Sequence, residues 1–135
     1  LNGLIQKGVP SDWATHMIGH ELTAAYGLDH GQSLAIIAPQ LWRQQQQHKA
    51  AKLLKFAHNV WGLENSHPDV AIKQGIIKTE EFFHSLGVKT KFSDYEINVD
   101  AEMITTNLFK YSSSNLGEHK NIDAKAVTEI LSMAK

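Results

Sequence analysis

The stretch "THMIGHELTAAYGLDHG", residues 15–31, decides how this chain is read. His16 and His20 stand four residues apart. On a helix that spacing turns both imidazoles toward one side, separated by about 40° of rotation. Trp13, Met17 and Ala24 share that side. Gly27 then closes the helix, and His30 follows the turn just before Gly31. A lone histidine among large apolar groups is usually a hydrogen-bonded core residue. Two on one helix side, with a third past a tight glycine turn, leave both a core role and a metal or catalytic site open.

Working outward, helical spacing recurs along the chain and strand-like alternation is nearly absent. Ser11, after Pro10, is positioned to cap a helix to about Tyr26, with Asp12 favourable in its first turn. A second helix starts near His30 and carries Leu34, Ile37, Leu41 and Trp42. Pro39 inside it predicts a kink or break. "QQQQ", residues 44–47, reads as a solvated helix face or turn. His48 to Trp61 forms a third helix with Leu53, Leu54, Ala57, Val60 and Trp61 inward and Gly62 as its stop. Ser66 caps the next, Pro68 sits in its first turn, and Ile72, Ile76, Phe83 and Leu86 face inward before Gly87. Residues 88–98 are irregular. Asp100 caps a helix to about Tyr111, with Val99 and Ile104 as a hydrophobic staple. "SSSNLGEHK" is a polar loop, and Asp123 caps the last helix with Ile122 and Val127 as a second staple. The expectation is a single all-α, multi-helix domain over residues 1–135.

The bulk properties narrow the function. The chain has 135 residues, 42% of them hydrophobic and 20% charged, which is globular rather than disordered composition. A net charge of −1 supplies no basic field for nucleic acid or acidic lipid. The absence of cysteine excludes disulfides and thiolate metal sites and fits a reducing, cytoplasmic setting. The longest apolar stretch, "LAIIAPQLW", is far short of the ~18 residues of a membrane span. "LNGLIQKG" at the start reads as the end of a helix, with Gly8 as its stop, which leads us to expect polypeptide before Leu1.

Two zinc-protease patterns fail. H-E-x-x-H needs histidine at 24, where Ala24 stands; H-x-x-E-H needs glutamate at 19, where Gly19 stands. Gly19 inside a helix costs about 1 kcal/mol against alanine, and such a residue often admits a close neighbour. "DWATHMIGHELTAAYGLDHGQSLAI" does, however, strongly resemble the metal-binding segment of iron-type alcohol dehydrogenases, in particular bacterial NADPH-dependent aldehyde reductases and butanol dehydrogenases of that family. The likeness continues through "LNGLIQKGVPSDW", "AKLLKFAHNVWG", "FFHSLGV", "FSDY" and "LGEHKNI", nearly the whole chain.

The resemblance implies the C-terminal helical domain of such an enzyme, of the dehydroquinate synthase-like α type, preceded by a Rossmann-like domain. It implies that His16 and His30 are ligands of Fe²⁺ or Zn²⁺. His20 would lie beside the nicotinamide and substrate, as a catalytic and cofactor-contacting residue. Hydride would pass between NADP or NAD and a small aldehyde or alcohol, in a homodimer. The remaining ligands, an aspartate and a histidine spaced D-x-x-x-H, would come from before Leu1. Asp12–His16 and Glu80–His84 share that type of spacing, but Asp12 is accounted for as a helix-end charge and Glu80–His84 as a surface pair. On this reading the chain by itself is inactive. The competing reading is a self-contained helical binding or interaction module with structural histidines. A helical phosphohydrolase is a weaker alternative, since it needs His-Asp and residues 29–30 are Asp-His. His48, His58, His67, His84 and His119 read as surface or loop residues.

Overall fold

In a computed structural model, residues 4, 7–64, 67–110 and 114–135 are described. Six α-helices with defined bounds follow one another among the described residues: α1 (Ala14–Tyr26), α2 (His30–Gln44), α3 (Gln46–Trp61), α4 (Pro68–Ser85), α5 (Ala101–Lys110) and α6 (Ala124–Met133). A 3₁₀ turn at Ser93–Tyr95 precedes α5. Among the described residues there is no strand, only an isolated antiparallel bridge between Leu116 and Ile122. The all-α expectation therefore holds.

Helix α2 is the hub, packing against α1, α3, α4 and α6. The main core joins Ile18 and Leu22 of α1, Ile36 and Ile37 of α2, Ile104 of α5 and Ile130 of α6, all fully buried. A smaller core of Leu53, Ile72 and Ile76 lies between α3 and α4, and Trp42 touches both. Gly75 lets those two helices close up, since a Cβ there would stand 3.0 Å from the Ala57 Cβ.

Several local expectations match. Gly27 and Gly62 end α1 and α3 in the left-handed conformation, at φ 69° and 63°. Pro68 opens α4. Asp100 and Asp123 accept the Met103 and Ala126 N–H groups, both at 2.9 Å. The staple residues Val99, Ile104, Ile122 and Val127 are all buried. Ser66, Tyr111 and most of the expected first helix end lie outside the described residues.

Other expectations need correction. Ser11 does not cap α1. Its Oγ accepts from the Trp13 indole at 3.2 Å, while Asp12 Oδ1 takes the Ala14 N–H at 2.8 Å. Helix α2 runs through Pro39 and stops at Gln45, so the break falls six residues late. Gln45 is buried there, because the Asn121 amide donates to its Oε1 at 2.7 Å. Val60 and Leu86, expected inward, are exposed near the C-terminal ends of α3 and α4. The loop read as polar is anchored by buried Leu116, and the irregular connection by fully buried Phe92, whose N–H donates to the Ala134 carbonyl at 2.9 Å.

Charges also tie the helices. Lys49 of α3 pairs with Asp12 at 2.5 Å and Glu118 at 3.2 Å, and Glu118 with Lys52 at 2.7 Å. The Lys52 hydrogen bond leads in holding the Glu118 carboxyl below its ordinary range; burial opposes it and Lys49 adds to it. Burial by itself would lower Lys49, but the bonds and charges of Asp12 and Glu118 outweigh it and hold the ammonium above its ordinary value. A carboxyl depressed in the folded state contributes stability above its unfolded value, which is lost as pH falls through the folded one. Acid denaturation of the chain should therefore steepen once pH drops below the ordinary glutamate range. In Glu118→Gln that component should be absent, as read from denaturant midpoints across the acid limb.

Candidate metal centre

His16 and His20 project from successive turns of α1, and His30 is the first residue of α2. Two devices bring the helices together. After Gly27 ends α1, Leu28 is buried as a plug, and Asp29 starts α2 with its N–H donating to Gln32 Oε1 at 3.0 Å. Where α1 crosses α2, Gly19 faces Ser33 and Leu34; a Cβ at Gly19 would lie 3.0 Å from Ser33 Oγ and 3.3 Å from Leu34 Cδ2. Ser33 is fully buried, and its hydroxyl donates to the His30 carbonyl at 2.9 Å. The close crossing thus lies one turn into α2, next to His30 at its first position.

The three rings converge. Ring centres lie 5.3 Å apart for His16–His30, 5.4 Å for His20–His30 and 6.4 Å for His16–His20. Two imidazoles on one ion at 2.0–2.1 Å would have ring centres roughly 5 Å apart. His16 and His30 fit that separation, and so does His20 with His30; ring spacing alone does not choose between the two pairs. Burial, then the neighbouring His30 and His20 rings, hold the His16 imidazole below its ordinary value. A metal needs that neutral form. His16 is half-buried, while His20 and His30 are exposed. Trp13, 43% exposed, stacks edge-on to His16 with centres 5.2 Å apart. Met17 is partly buried against the core, and Leu22 lies fully inside it.

Among the described residues, no group of three or more histidine, aspartate or glutamate side chains is arranged to hold an ion unaided. The other pairs with D/E-x-x-x-H spacing are committed elsewhere. Asp12 is held by Ala14 and Lys49. Arg43 forks onto Glu80 at 2.7 and 2.5 Å, and His84 bonds Thr90 Oγ1 at 2.9 Å. His48, His58, His67, His84 and His119 are all exposed, as expected of surface or loop residues. The donor set is two or three imidazoles on an open face, which fits part of the shell of Fe²⁺ or Zn²⁺.

Residues 4–135 match the model of the C-terminal region of the Fe-containing alcohol dehydrogenase family. The chain belongs to that family. It is 43% identical to the NADPH-dependent aldehyde reductase YqhD of Escherichia coli, covering 100% of this chain and 35% of that protein. To NADH-dependent butanol dehydrogenase A of Clostridium acetobutylicum it is 32% identical, covering 96% of this chain and 34% of that one. The crystal structure of the E. coli protein superposes with a TM-score of 0.95 over 100% of this chain and 35% of its own. A butanol dehydrogenase A structure from Thermotoga maritima gives 0.89 at 28% identity, over 99% of this chain and 36% of its own. The chain spans about a third of the length of these relatives. No helix among the described residues is long and apolar enough to cross a membrane.

Substituting Gly19 tests the geometry. Gly19→Val should force α2 away from α1 and cost about 1–3 kcal/mol. It should also weaken the nuclear Overhauser contacts between the His16 and His30 rings, while contacts between α5 and α6 stay as in the parent chain.

Proposed function

We propose that this chain is the C-terminal metal-binding part of an NAD(P)-dependent alcohol dehydrogenase or aldehyde reductase. The observation that carries the reading is the convergence of His16 and His30 from two helices, at ring centres 5.3 Å apart, in a chain of this family. His16 and His30 hold a divalent ion, Fe²⁺ or Zn²⁺, and two further ligands come from polypeptide outside this sequence. That polypeptide also forms the nicotinamide-binding domain, and the complete enzyme is a cytoplasmic homodimer. When bound, the ion supplies Lewis acidity toward an aldehyde or alcohol oxygen, and the nicotinamide supplies or accepts hydride.

The chain's own residues do the rest. His16 is kept neutral, as a ligand must be, by its burial and its imidazole neighbours. His30 is fixed through its own carbonyl, which accepts the Ser33 hydroxyl. His20 stands one turn from His16 on the exposed side, where it would lie near a bound nicotinamide and substrate and could relay a proton to the substrate oxygen. Trp13 extends the apolar rim beside His16 and limits water there.

The test joins this chain to the N-terminal two-thirds of the E. coli aldehyde reductase. The fusion should reduce small aldehydes with NADPH and hold metal stoichiometrically. His16→Ala or His30→Ala should lose the metal and the activity together. His20→Ala should retain the metal and lose about 10²-fold in kcat. The chain by itself should show no aldehyde reduction and only weak Zn²⁺ binding, because two ligands do not close a site. Stoichiometric tight binding by the separate chain, or full metal content in the His16→Ala fusion, would sink the assignment.

A further inference from the structure

Helix α1 starts without help from its own N-cap residue, since Trp13 makes no side-chain cap bond. The first N–H groups of a helix have no partner within it, and a first turn left uncapped frays. Asp12 takes the Ala14 N–H through Oδ1 at 2.8 Å. His16 is the third residue of α1 and lies within that first turn. His20 is a full turn further in, and His30 belongs to α2, which Gln32 caps separately. Of the three rings, His16 is the one that depends on how α1 begins.

The other Asp12 oxygen is gripped from a distant part of the chain. Lys49 Nζ lies 2.5 Å from Asp12 Oδ2 and 3.2 Å from Glu118 Oε1. The Lys49 side chain is 11% exposed and that of Glu118 8%. Lys52, 71% exposed, bonds Glu118. Charge-assisted bonds in such partly dry surroundings are short and directional. Removing one member leaves a poorly solvated charge behind. Lys49 therefore ties the first turn of α1 both to α3 and to the loop before α6.

We propose that Lys49 is a positioning residue for His16: by holding Asp12, it keeps the first turn of α1 closed so that the His16 ring faces His30. It acts through Asp12 and touches neither substrate nor ion. The role rests on the proposed ligand assignment only for its effect on metal affinity; the effect on the turn is independent of it.

The experiment is amide hydrogen exchange by NMR on the whole metal-free chain, comparing Lys49→Met, Lys49→Arg and Lys52→Met. The reporter is the Met17 N–H, which closes the turn on the Trp13 carbonyl at 2.9 Å. In Lys49→Met it should exchange about tenfold faster relative to Leu22 and to the α2 amides. Lys49→Arg should restore most of the protection, and Lys52→Met should leave it intact. Uniform loss of protection across all helices, or none at Met17, overturns the proposal. Should Lys49→Met fail to fold, Asp12→Asn decides, because it keeps an acceptor for Ala14 but loses the ion pair. It should open Met17 selectively, and outright unfolding or no change there overturns the proposal as well. Titration with Zn²⁺, followed on the histidine ring signals, forms the second arm. Lys49→Met should weaken binding about tenfold. If Zn²⁺ shifts neither the His16 nor the His30 ring in the parent chain, the ligand assignment fails, while the Met17 result still decides the role of Lys49.

Discussion

The close crossing of α1 over α2 at Gly19 is the constraint on which the rest depends. A side chain there would meet the buried Ser33 hydroxyl and Leu34. Without one, α1 closes directly onto the buried Ser33 of α2, whose hydroxyl donates within its own helix to the His30 carbonyl. Glycine is a poor helix former, and the loss is about 1 kcal/mol against alanine. The packing of Ile18 and Leu22 against the core offsets it, since burying one such side chain contributes about 1.5–3 kcal/mol. The same approach carries the first residue of α2 beside the first two turns of α1. Three imidazoles gathered from two helices are the chemical result.

That gathering sits at the edge of the fold, not in its centre. The cores lie on the other sides of α1 and α2, around Ile36, Ile37, Ile104 and Ile130. His20, His30 and Trp13 remain open to solvent. A cluster of imidazoles on an accessible face leaves room for further ligands, as the proposed function requires. It suits structural histidines poorly, because those are ordinarily buried and hydrogen-bonded. The chain belongs to the iron-containing alcohol dehydrogenase family over residues 4–135 and spans about a third of the length of its relatives.

Much of the fold was legible from local chemistry. Gly27 and Gly62 stop their helices, Asp100 and Asp123 start theirs, and both staples are buried as their spacing implies. Failures came where a partner decided the outcome. Ser11 lost the cap of α1 because the Trp13 indole engages it and the Asp12 carboxylate is the nearer acceptor for Ala14. Val60 and Leu86 match an apolar helix pattern, but both remain exposed. Gln45 and Glu118 look like solvent-facing residues in sequence. One is buried against Asn121 and the other against two lysines. In the site, the histidine spacing was readable, whereas the tie from Lys49 to Asp12 and Glu118 was not.

The sequence by itself determined α1 to α6, most of their ends, and which histidines share a side of α1, because capping and helical periodicity act within a turn or two of the chain. Tertiary structure decided that α2 closes on α1 at Gly19, which of the apolar residues find a core, and that Lys49 joins residues 37 and 69 positions away. Those outcomes depend on excluded volume and on charges meeting in partly dry surroundings. Both are properties of segments brought together in space, and local spacing does not encode them.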